Sequence, residues 1–279
     1  MKALKKLIPA AAMLLLCAAM MTTATFAWFN MNESVAVDTG TTKVTAPTNL
    51  QIAKFDDSGA VGEYGNSVKF DSTNEINPAT VKTGESTLVW ETTNKATNDG
   101  VASGTLDTLT LDATGKDTTD GGYWKDKFFF NSYKMSLKNI GGTKIDVKLD
   151  DAVGKIAVTS TDTASGELYK AVCFMVIVDE VDSTAGSALP VVVWEDKTAA
   201  TEATDDAPAT VGGEMQTGKT LITGSAANGV IATLEAQKAA TVTVIAWMEG
   251  NKKACANNKV ASGTLSFALD FAFKAESAA

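Results

Sequence analysis

The stretch Tyr133-Lys134-Met135-Ser136-Leu137-Lys138-Asn139-Ile140-Gly141-Gly142-Thr143-Lys144-Ile145-Asp146-Val147-Lys148-Leu149 alternates apolar and polar residues on both sides of a glycine pair. Before the glycines, Tyr133, Met135 and Leu137 fall on one face and Lys134, Ser136 and Lys138 on the other. After them, Ile145, Val147 and Leu149 alternate with Asp146 and Lys148. A period of two belongs to extended chain, whereas a helix repeats at 3.6. The pattern therefore predicts strand, glycine turn and strand, joined as an antiparallel hairpin.

Outward from this stretch the same signal recurs. Phe267, Leu269, Phe271 and Phe273 share one face opposite Ala268, Asp270 and Ala272, the mark of a half-buried strand. Leu168 to Val178, Leu189 to Trp194 and Ala240 to Met248 are apolar on both faces and suit central strands of packed sheets. Shorter candidates run over Leu50 to Phe55, Ser67 to Phe70, Thr87 to Trp90, Leu106 to Leu111 and Ile156 to Thr159. One short helix is expected at Val230 to Ala236, where Ala, Leu and Glu gather. Long loops are expected at Asp112 to Gly122 and Asp196 to Lys219. Many short strands separated by polar turns make an all-β antiparallel sandwich the expected class. With no clear linker, residues 46–279 are expected to form one elaborated sandwich domain behind an N-terminal segment, 28–45.

The hexapeptide Val101-Ala102-Ser103-Gly104-Thr105-Leu106 recurs as Val260-Ala261-Ser262-Gly263-Thr264-Leu265. Each copy follows an apolar strand ending near a Trp, Trp90 or Trp247. Two equivalent hairpins in facing sheets would explain the echo, as would convergent strand-turn-strand composition.

Composition restricts the chemistry. The 279 residues carry 24 Lys, 33 Asp plus Glu, no Arg and no His, for a net charge of -9. Without His there is no Ser–His–Asp or Cys–His arrangement and no His-x-x-x-His zinc site. Without Arg there is no planar fork for phosphate or carboxylate. An acidic, Arg-free chain is also a poor binder of nucleic acid. No catalytic residue, metal ligand or cofactor is assigned from the sequence.

The N-terminus reads as an export signal. Lys2, Lys5 and Lys6 precede an uncharged apolar run from Leu7 to Met21, and Thr22-Thr23-Ala24-Thr25-Phe26-Ala27 follows, with small residues at the expected cleavage point. Cleavage is expected after Ala27, with Thr25 two residues earlier and Trp28 as the new N-terminus. A run of that length is short for a spanning helix, so the membrane is touched only through this signal helix. Removing residues 1–27 takes away three Lys and no acid, leaving a secreted chain of net charge -12. Cys173 and Cys255 remain. Export permits a disulfide between them, but two cysteines are too few for a framework and buried free Cys is common.

The junction Ala24-Thr25-Phe26-Ala27-Trp28-Phe29-Asn30 resembles exported proteins of the TasA and camelysin type, whose signals are handled by a SipW-type signal peptidase in Gram-positive bacteria. The segments Met135 to Val147 and Val242 to Gly250 look similar to uncharacterised relatives of that type. The resemblance implies a jelly-roll-like sandwich, export to the cell surface or a biofilm matrix, and self-association into fibres. It also implies donation of an N-terminal segment to a neighbouring subunit by β-strand addition. In this chain Trp28, Phe29, Val35 and Val37 would carry that role. The alternative is that the same segment forms the first strand of its own sandwich, and the residues favour that reading. A camelysin-like protease activity lacks the two His it would need.

Several constellations have simpler readings beside them. Asp117-Thr118-Thr119-Asp120-Gly121 and Asp56-Asp57-Ser58-Gly59 resemble Ca²⁺ loops but lack the full ligand series, so solvated turns are expected. Trp90, Trp194 and Trp247 could stack on sugars, as in a secreted adhesin or carbohydrate-binding module, but Trp at strand ends more often caps a core. Gly213 to Thr220 spells a phosphate loop without the helix that would give it meaning.

Overall fold

The computed structural model describes residues 37–39, 42–46, 49–56, 58–72, 74–82, 87–95, 102–149, 156–160, 171–186, 190–195, 214–215, 230–250 and 263–275. The expected signal and the start of the N-terminal segment, residues 1–36, lie outside them. Within them regular structure is nearly all strand. In chain order these are β1 (Val37–Thr39), β2 (Thr42–Thr45), β3 (Leu50–Lys54), β4 (Ser67–Phe70), β5 (Glu75–Ile76), β6 (Thr80–Val81), β7 (Trp90–Lys95), β8 (Ala102–Leu109) and β9 (Phe130–Asn139). There follow β10 (Ile145–Leu149), β11 (Ile156–Ser160), β12 (Val172–Val181), β13 (Thr184–Ala185), β14 (Pro190–Glu195), β15 (Glu214–Met215), β16 (Val230–Leu234), β17 (Ala239–Met248) and β18 (Gly263–Ala275).

The strands form an eight-stranded sheet along β16-β10-β18-β1-β5, a seven-stranded sheet along β15-β14-β12-β17-β9-β3, and a three-stranded sheet β6-β7-β8. Strand alternation explains how they stack. On β12, Val172, Phe174, Val176 and Val178 join the core shared with the eight-stranded sheet. Cys173, Met175 and Ile177 point the other way, into a second core. On β17, Val242, Val244, Ala246 and Met248 face the first core and Ile245 and Trp247 the second. The seven-stranded sheet is therefore a middle layer covered on both faces, which is why β12 and β17 read as unbroken apolar runs.

The opening stretch departs from its expected hairpin. β9 pairs with β17 and β3, whereas β10 pairs with β16 and β18. The chain crosses between sheets at 140–144 as an arch. Tyr133, Met135 and Leu137 then meet Ile145, Val147 and Leu149 across one core instead of lying side by side. A two-residue primed turn would need positive φ at its centre, and neither Gly141 nor Gly142 adopts it.

Asn139 holds the arch. It is fully buried. Its Nδ2 donates to the carbonyls of Thr143 (2.8 Å), Leu234 (3.2 Å) and Glu235 (3.0 Å), and its Oδ1 accepts from Gly141 N (2.9 Å). From the facing turn, Gln237 Nε2 donates to Ile140 O at 2.8 Å.

Other expectations are also corrected. The helix expected at Val230 to Ala236 is strand β16 followed by a turn. Val230, Ile231 and Thr233 are β-branched, and pairing with β10 buries Ile231 and Leu234. The sheets are largely antiparallel, but β1 and β2 run parallel to β18. The two hexapeptide copies are not equivalent hairpins: β7 pairs with β8, whereas β17 and β18 lie in different sheets.

Candidate assembly site

The N-terminal strands occupy a slot in the eight-stranded sheet. Val37, Asp38 and Thr39 pair with Gly263, Thr264 and Leu265 of β18. Lys43, Val44 and Thr45 pair with Ala268, Leu269 and Asp270. The offset between partners is 226 in the first run and 225 in the second, so β1 and β2 hold different registers on β18. On the opposite edge Val37 and Asp38 pair with β5, and Thr42 to Thr45 pair with β4. β1 and β2 thus lie between β18 on one side and β5 and β4 on the other. Val44 is fully buried and Thr42 nearly so.

Of the expected assembly residues, only Val37 is described, and it pairs within its own chain. Thr25, Ala27, Trp28, Phe29 and Val35 lie outside the described residues. The slot is stabilised by main-chain pairing and by Val44, with one local defect. Thr42 Oγ1 is buried without a hydrogen-bond partner among the described residues. A buried hydroxyl left unpaired loses its hydration without compensation. Thr42→Val, which keeps the shape, is expected to raise stability by about 1 kcal/mol in urea unfolding.

The acidic turns spend their carboxylates on themselves. Asp56 Oδ1 accepts from Ser58 N (2.9 Å), Ser58 Oγ (2.6 Å) and Ala60 N (2.9 Å). Asp112 Oδ1 accepts in the same way from Thr114 N (2.8 Å), Thr114 Oγ1 (2.6 Å) and Lys116 N (3.1 Å). Each turn places glycine at positive φ, Gly59 at 80° and Gly115 at 87°. A Cβ on Gly115 would also collide with Phe130. The shared spelling, Asp-x-Ser/Thr-Gly, is a signal that the sequence reading passed over. At the third acidic site Asp117 accepts from Thr119 Oγ1 (2.8 Å), while Asp120 pairs with Lys125 at 2.7 Å. Among the described residues no three His, Cys, Asp or Glu side chains gather as metal ligands would.

These bonds make a pH prediction. The Ser58 and Thr114 hydroxyls, followed by backbone N–H groups, hold the Asp56 and Asp112 carboxyls below the usual carboxylate range. A depressed folded pKa contributes stability that is present above the unfolded value and lost as pH falls through the folded value. Both carboxylates are solvent-exposed, so the effect is local. In a ¹³C-carboxyl titration both are expected to titrate below the ordinary aspartates. Asp56→Asn and Asp112→Asn are each expected to remove part of the acid-induced loosening of their own turn.

The remaining candidates resolve as packing or fall outside the described residues. Trp90 and Trp247 are buried with ring centroids 5.5 Å apart, edge to face, and Trp247 is wholly inaccessible to a sugar. Cys173 is buried in the second core, while its expected partner Cys255 lies outside the described residues. Within the phosphate-loop spelling, Glu214 and Met215 form β15 and pair with β14, which is strand inside what should be an anion-binding loop. No family model, curated protein or solved structure matches this chain.

Proposed function

We propose that the chain is an exported, non-enzymatic structural protein of the cell surface or extracellular matrix, whose subunits associate by exchanging the N-terminal strand. One observation carries this reading: β1 and β2, the first strands of the described residues, are interior strands with pairing partners on both edges. A segment supplied by a neighbour could make the same main-chain bonds, which is the physics of strand addition. The resemblance of the Thr25 to Trp28 junction to TasA-type exported proteins points the same way. The absence of His and Arg from the sequence argues against most hydrolytic chemistry.

The register supplies the test. Asp38 and Thr264 are direct partners, so a chain carrying Asp38→Cys and Thr264→Cys can be oxidised after concentration. Exchange predicts a ladder of covalently linked subunits on non-reducing gels, together with filaments or oligomers by electron microscopy. A disulfide formed solely within monomers, at every concentration, would overturn the proposal.

A further inference from the structure

The outer strands of the three sheets are treated unequally. β3 is folded over by its own continuation, with Ile52 and Gly65 exchanging backbone bonds of 2.8 and 2.9 Å. β14 is followed by β15. β4 has four residues and an exposed Lys69, and β16 has five with a register shift against β10. β8 differs from all of these. It is an eight-residue strand at the rim of the three-stranded sheet, pairing with β7 on one side and with no described strand on the other. Its sequence, Ala-Ser-Gly-Thr-Leu-Asp-Thr-Leu, has one charge, no Lys and no Pro. Natural edges are ordinarily blunted by those devices, and a long edge without them invites another strand.

Two observations bear on what the edge can accept. The hexapeptide echo places Gly104-Thr105-Leu106 in β8 and Gly263-Thr264-Leu265 in β18. In β18, Leu265 has a partner on each edge, Thr39 and Ser160. In β8, Leu106 is paired on one edge, with Thr93. The same local sequence is thus an interior strand in one place and a rim strand in the other. Leu106 is also one of two exposed large apolar side chains among the described residues, at 40%.

We infer that β8 is a self-association edge, pairing antiparallel with β8 of a second copy about a two-fold axis to make a continuous six-stranded sheet. An antiparallel strand pair related by a two-fold can centre on a residue facing its own copy. Centring on Leu106 buries that side chain against its equivalent. Centring on Asp107 would set two carboxylates opposite each other, which is unfavourable. The contact lies on a different sheet from the N-terminal slot and does not depend on strand exchange.

Sedimentation equilibrium of the full exported chain tests the idea. A monomer–dimer equilibrium is expected, weakened at least tenfold by Leu106→Lys. It should persist in the chain whose slot is locked by the internal Asp38–Thr264 cross-link. In a second arm, Leu106→Cys under mild oxidation is expected to give a covalent dimer. Val61→Cys, at the other exposed large apolar position among the described residues (43%), should give none. A locked chain that is monomeric throughout, a dimer indifferent to Leu106→Lys, or equal cross-linking from position 61 would each overturn the inference.

Discussion

Trp247→Ala is expected to cost about 3–5 kcal/mol of unfolding free energy, among the largest effects of any single truncation in the chain. Trp247 is fully buried on the outward face of β17, where it joins the middle sheet to the three-stranded one. Its ring meets Trp90 edge-on, and Trp90 lies 5.0 Å from Phe130. Each such aromatic pair contributes about 0.5–1.5 kcal/mol beyond the area it buries. Nε1 also donates to the buried Glu249 carboxylate at 3.2 Å. Trp247→Phe keeps much of the packing and loses this bond, so about 1–2 kcal/mol of the total is expected from that variant. The damage should be local in kind. Hydrogen exchange should speed up first at 79–81, 90–95 and 102–109, ahead of the β10, β16 and β18 amides on the far side of the other core. Uniform acceleration across both cores would show that the layers unfold as one cooperative unit.

The same residue shows what a strand pattern conveys and what it omits. Trp247 ends a run that is apolar on both faces, and such a run does say that both faces are covered. It does not say by what. A facing sheet and an added three-stranded layer leave the same trace in β12 and β17. The period-two pattern around Tyr133 and Ile145 located both strands and their inward faces, because alternation is local. The choice between hairpin and arch was not local. It rests on which sheet holds β16, β17 and β18, all more than 80 residues downstream. Val230 to Ala236 was misread because helix propensity is a weak prior beside pairing with β10. The parallel insertion of β1 and β2 leaves no trace in composition, since it is decided by pairing with the far end of the chain. The Asp-x-Ser/Thr-Gly turns, by contrast, were fully legible. Asp56 and Asp112 each stand three residues before a glycine that must take positive φ.

The arch makes the second large prediction. Asn139→Ala is expected to cost about 2–4 kcal/mol, because it removes the donor shared by the carbonyls of Thr143, Leu234 and Glu235, although Glu235 O keeps its bond from Lys238 N (3.1 Å). Asn139→Asp should be worse at neutral pH, although it is nearly the same size. The amide donates to all three carbonyls from one nitrogen, and a carboxylate in its place would present a charge and no donor. Burial disfavours that charge, so the new carboxyl should have a folded pKa above its unfolded value. A raised folded pKa contributes stability that is present below the unfolded value and lost as pH rises through the folded one. Asn139→Asp is therefore expected to approach the parent protein at acid pH, where a protonated carboxyl can donate one bond, and to diverge from it toward neutrality. Asn139→Ala should show no such recovery. Urea unfolding of the three proteins across pH separates the readings. If the Asp variant instead tracks the parent protein at every pH while the Ala variant stays destabilised, the side chain fills space at the arch and its hydrogen bonds do not hold the two sheets in register.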